Sequence, residues 1–131
     1  MRARNPLAAA AAAAIATATL VAAPAAAHGG NDDVVRRGAC TGSTHWKLKA
    51  SPDDGRIEVE GEVDSNRNGQ LWRWRIVHDG TVSAHGRRFT APPSGSFEVR
   101  RLVVDLAGGD AVTFRAHNRR SGETCRGTVH I

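Results

Sequence analysis

The chain has no tyrosine, one methionine, two cysteines and only six aromatic residues, three tryptophans and three phenylalanines. Without tyrosine there can be no tyrosine corner, and without a Cys…Trp…Cys spacing the antibody type of sandwich is excluded. Lysine is scarce too: all basic side chains are arginine except Lys47 and Lys49. A coding bias towards G and C produces such a composition together with the abundance of Ala, Gly and Val. No G-x-S-x-G elbow, paired-carboxylate spacing or reactive cysteine is present, so no enzyme is expected. No window after the first 27 residues shows a helical period, and no later apolar run offers a membrane anchor.

Those first 27 residues comprise a basic head (Arg2, Arg4), an alanine-dominated apolar run from Leu7 to about Ala23, and the small-residue ending Ala25-Ala26-Ala27. This is the pattern of a secretory signal peptide, with the mature chain beginning at His28. Export discards Arg2 and Arg4, which cuts the 18 basic side chains to 16 against 13 acidic ones. The mature protein is then only mildly basic. Cys40 and Cys125 fall in the exported part, where disulfides persist, and they allow a single pairing that closes a loop of 85 residues.

Residues 28–39 carry glycine, charges and little periodicity, which predicts a flexible lead-in and an ordered domain over 40–131. From Cys40 onward the period is two. Trp46 and Leu48 form one half-buried strand, and Ile57, Val59 and Val63, alternating with Glu58, Glu60 and Glu62, form the next. Trp72, Trp74 and Ile76 alternate with Arg73, Arg75 and Val77. Asp79-Gly80 then signals a type I′ hairpin into a strand from about Thr81 to His85.

Phe97 and Val99 are out of phase with Leu102, Val104 and Leu106, which predicts a bulge or a change of sheet at Arg100-Arg101. Seven or eight short antiparallel strands, turns every 8 to 12 residues and a length near 100 indicate an all-β, two-sheet sandwich of immunoglobulin or fibronectin type III kind. "FRAHN" followed by "CRGTVHI" resembles the closing hairpin of fibronectin type III domains. The blocks "CTGSTHWKLKASPDDGRIEVEGEVDSN", "GQLWRWRI", "SGSFEVRR" and "SGETCRGTV" resemble a family of small secreted actinobacterial proteins. That resemblance implies export and a β domain, and brings no activity with it.

Several motifs invite chemistry. Asp64-x-Asn66-x-Asn68-Gly69 places oxygens at positions 1, 3 and 5 of a calcium loop and glycine at 6, but position 12, where a bidentate acid belongs, is Arg75. Turn chemistry explains the same residues. Strand alternation puts Trp72 and Trp74 on one face, either as core or as a platform for sugar rings, and core is favoured in a chain with so few aromatics. Arg73 and Arg75 are then expected opposite Glu58, Glu60 and Glu62.

Four Arg-Arg pairs, 36–37, 87–88, 100–101 and 119–120, are scattered over separate turns and strands and read as solvated surface. His28 as a free N-terminus could chelate copper, although Gly29-Gly30 leaves it on a loose tether. The remaining histidines stand singly at strand positions.

The expectation is a secreted, monomeric, non-catalytic binding or accessory module without a cofactor or metal. Its partner is an extracellular protein or polysaccharide rather than nucleic acid, and its contacts lie on loops that include Asp64, Asn66, Asn68, Arg119 and Arg120. The rivals are a copper-binding protein using His28, a carbohydrate-binding module and a small protease inhibitor.

Overall fold

The computed structural model describes residues 32–131; residues 1–27, expected to be a signal peptide, and His28 lie outside them. Eight antiparallel strands are present: β1 Val34–Ala39, β2 His45–Asp53, β3 Arg56–Asp64, β4 Leu71–His78, β5 Thr81–Phe89, β6 Ser96–Val104, β7 Ala111–His117 and β8 Thr124–His130. They form two four-stranded sheets, sheet A in the order β1-β2-β3-β6 and sheet B in the order β5-β4-β7-β8. The chain changes sheet after β3, after β5 and after β6. The result is the expected sandwich. Among the described residues, no helix is long and apolar enough to cross a membrane.

The core follows the pleat. Leu48, Val59, Val63 and Val99 from sheet A meet Trp72, Ile76, Phe114 and Val129 from sheet B, all essentially without solvent contact. Trp74 is 4% exposed, so both indoles of the Trp-Arg run belong to the core and cannot serve as a sugar platform. The expected hairpin at Asp79-Gly80 has positive φ at both central residues (45° and 82°), and Asp54-Gly55 between β2 and β3 does the same (49° and 78°).

Glycine closes one side of the sandwich. Trp46 lies between Gly38 of β1 and Gly127 of β8, and a β-carbon on Gly127 would run into the indole ring. Gly127→Ala should therefore cost about 1–3 kcal/mol or more through overpacking, read as a lowered urea midpoint. An unchanged midpoint would show that the indole can move aside. On the same side Cys40, in the β1–β2 connection, bonds Cys125 of β8 with 4.2 Å between Cα atoms.

Four expectations need correction. The segment 28–39 is not wholly a lead-in, because Val34–Ala39 pairs with His45–Ala50 as an edge strand. Strand β5 continues four residues beyond His85 to Phe89, after a register shift between Ile76 and Val77 of its partner. Strand β6 has no bulge: its register with β3 is unbroken from Asp64↔Ser96 to Arg56↔Val104. Arg101 occupies an inward position between Val99 and Val103, its guanidinium 5.1 Å from the centroid of Trp74, while Leu102 and Val104 face water.

The fourth correction concerns charge. Strand β4 pairs with β5 and β7, so Arg73 and Arg75 stand in the other sheet from the glutamates of β3. Those glutamates are neutralised within sheet A. Arg100 reaches Glu60 at 2.8 Å, Glu98 at 3.5 Å and Glu58 at 3.9 Å, and Lys47 reaches Glu62 at 3.8 Å.

Candidate functional site: a basic face on sheet B

On β4 the tryptophans point inward, which sends Leu71, Arg73 and Arg75 outward. Pairing extends these positions into rows across the sheet. Arg75 stands opposite His85 of β5 and Arg115 of β7, and Arg115 stands opposite Arg126 of β8. One residue pair along the strands, Arg73 lies between Arg87 and His117. Like charges directly opposed on adjacent strands destabilise a sheet by about 0.2–1 kcal/mol per pair.

Here that cost is not relieved. Among the described residues none of Arg73, Arg75, Arg87, Arg115 and Arg126 makes an ion pair, and the outward positions of the four strands carry no acid. The contrast with the paired charges of sheet A is plain.

At one end of this face a cleft opens between the connections β3–β4 and β7–β8. Its lining includes Arg67, Asn68, Arg73, Arg87, Arg119 and Arg120, with Leu71 and Phe89 as apolar surface. Leu71 and Phe89 are cross-strand partners, and Phe89 is 63% exposed. The cleft walls are held by hydrogen bonds. Thr90 Oγ1 donates to Arg67 O at 2.5 Å and accepts from Gln70 N at 2.9 Å, while Asn118 Oδ1 accepts from Arg120 N at 2.9 Å and Ser121 N at 3.2 Å.

The expected contact residues divide. Asn68, Arg119 and Arg120 meet around the cleft. Asp64 does not: it lines a groove of sheet A with Arg37, His45 and Lys47, and its Oδ1 accepts from Asn66 N at 3.2 Å, the hydrogen bond of a tight turn. Asn66 sits in that turn at φ 56°, outside the cleft lining.

Arg115, Arg126 and Phe89 were not singled out from the sequence, which drew attention to adjacent Arg-Arg pairs and set Arg73 and Arg75 against the glutamates of β3. A pleated strand sends the members of such a pair to opposite faces, so the informative signal was Arg at every second position opposite a buried tryptophan.

A second polar group lies at the opposite end of β4. His78, Asp79 and Asp110 bring ligand-type atoms within 4.8 Å of one another. His78 Nε2 is 2.6 Å from Asp110 Oδ1, and both side chains are buried. The carboxylates are already engaged, since Asp79 Oδ1 accepts from Ala111 N at 2.7 Å and Asp110 Oδ1 from Leu106 N at 3.3 Å. The group latches the β4–β5 turn to the start of β7.

Hydrogen bonding to His78 holds the Asp110 carboxyl below the usual range, and the hydrogen bond with Asp110 pushes Asp105 above it. A depressed carboxyl pKa contributes stability that is full above the unfolded value of about 3.9 and is lost as pH falls through the folded value. The raised Asp105 works the other way, favouring the fold at low pH and opposing it as pH rises through its folded value. Asp110→Asn is expected to lower the melting temperature at neutral pH, with the deficit shrinking below about pH 4. A deficit that is constant from pH 3 to 7 would remove the ionised latch from the account.

Compared with known protein families, curated proteins and solved structures, the chain finds no match in any of the three.

Proposed function

We propose that this protein is a non-catalytic binding module that works outside the cell and holds an anionic ligand against the outer face of sheet B. The observation that carries this reading is the run Arg75, Arg115 and Arg126, directly opposed across three strands with no acid to balance them. Folding alone gains nothing from the arrangement, because a Thr pair such as Thr113–Thr128, whose hydroxyls are 2.7 Å apart one row away, fills such positions without repulsion. An external anion supplies the missing charge and uses the five-donor geometry of each guanidinium. The signal-like N-terminus and the disulfide support action outside the cell.

The test must separate a site from general basicity. The protein should be retained on a dextran sulfate resin at about 0.15 M salt and pass through neutral dextran. Arg75→Gln with Arg115→Gln should elute at clearly lower salt. Arg37→Gln with Arg56→Gln, which removes the same charge from exposed positions of sheet A, should elute close to wild type. Equal shifts in the two double variants would reduce the face to a share of net charge and end the proposal.

A further inference from the structure

The arginine rows call for an anion, and the surface around them narrows its chemistry. Resting on that reading, we infer that the ligand is a linear acidic polysaccharide, and that one of its sugar rings stacks on Phe89 in the cleft beside the arginine rows.

Three observations converge on this class. The first is spacing. Strands in a sheet lie about 4.8 Å apart, so the row Arg75, Arg115, Arg126 presents one guanidinium per strand across β4, β7 and β8. A hexose unit is about as long as that spacing, and a chain with an acid on each sugar or each second sugar meets the row in step.

The second is the exposed aromatic. Phe89 stays 63% exposed beside Leu71 although the protein has only six aromatic side chains and buries Trp72 and Trp74 completely or nearly so. An apolar ring in water, flanked by Arg73 and Arg87, suits a ligand that is apolar on one face and acidic at its edge. A sugar acid has that form, its axial C–H groups on one side of the ring and its carboxylate or sulfate at the rim.

The third observation separates this ligand from the other large polyanions. Single-stranded nucleic acid is held by a series of aromatic platforms interleaved with basic side chains. Here Phe89 stands alone at one end, and the rows of arginines hold His85 and His117 but no Phe, Tyr or Trp. A membrane surface asks for an apolar face set beneath a basic rim. The centre of this face is arginine, and its apolar pair is confined to the cleft end.

Titrations of the folded protein with polygalacturonate, polyphosphate, oligo(dT) and anionic phosphatidylglycerol vesicles test the inference at a series of salt concentrations. Polygalacturonate should bind more tightly than polyphosphate at equal charge concentration. Phe89→Ala should weaken polygalacturonate binding about two- to tenfold, the range of aromatic stacking contributions, without changing its salt slope or the binding of polyphosphate. Phe89→Trp should restore the loss. Both substitutions are at an exposed site, and a melting curve on each confirms that the fold is intact.

A preference for oligo(dT) or vesicles, or a Phe89→Ala loss equal for polygalacturonate and polyphosphate, overturns the polysaccharide inference while leaving anion binding in place. Failure to bind any of the four sinks the proposed function itself.

Discussion

Replacing Cys40 and Cys125 together with alanine should lower the stability of the protein by roughly 4 to 5 kcal/mol, the chain-entropy value for a closed loop of 85 residues. For a domain of this size that corresponds to a melting temperature about 20 °C lower. The core offers little reserve against such a loss, since small domains bury a modest fraction of their surface and native stabilities are about 5–15 kcal/mol.

The bond also reinforces one edge along which the two sheets meet. It links the β1–β2 connection to β8, where Thr41 N donates to Thr124 O at 2.9 Å, Thr124 N donates to Thr41 Oγ1 at 2.9 Å, and Trp46 wedges beneath Gly127. Loosening this edge frees β8, which carries Arg126 at the end of the basic row. The reduced protein should therefore bind polyanions with a salt slope smaller by up to about one, even under conditions where most of it remains folded. An unfolding free energy from urea titration of the double alanine variant within about 1 kcal/mol of wild type would contradict the entropic account.

Alternation carried most of the architecture. Trp72, Trp74 and Ile76 declare an inward face, and Asp79-Gly80 declares a hairpin, because both signals are local and physically strict. In β1 and β6 a polar residue takes an inward position at the open side of a sheet. In β1, Arg36 lies opposite Leu48 and Gly38 opposite Trp46, so the strand shows no apolar alternation. In β6, Arg101 stands where a hydrophobic residue is expected and lies over Trp74, its charged end reaching solvent.

The basic face was hidden for a different reason. Arg115 and Arg126 are far apart in the chain and have no basic neighbour; only the pairings β4–β7 and β7–β8 bring them into line with Arg75. Strand order is a long-range property, and the period-two pattern of single strands does not contain it. The loop residues Asn68, Arg119 and Arg120 were legible as a group only because turn residues at sheet ends are exposed by default.

Charge reversal in the middle of that row should separate binding from folding. In Arg75→Glu with Arg115→Glu, two cationic contacts are lost and two repulsive groups face the ligand. Each contact to a dense polyanion contributes up to about 0.9 to the slope of log affinity against log salt, so the slope should fall by about two. Affinity for dextran sulfate at about 0.05 M salt should fall on the order of 100-fold. Stability should move the other way.

At position 115 the new carboxylate faces Arg126, which turns one like-charge opposition into an attractive pair, while positions 75 and 115 exchange one like-charge opposition for another. Each favourable cross-strand pair contributes about 0.2–1 kcal/mol, and the melting temperature should equal or exceed that of the wild type at low salt, the difference shrinking as salt is added. A variant that lost binding and stability together would mean that these arginines hold the sheet, because only residues kept for a partner outside the molecule weaken the fold by their presence.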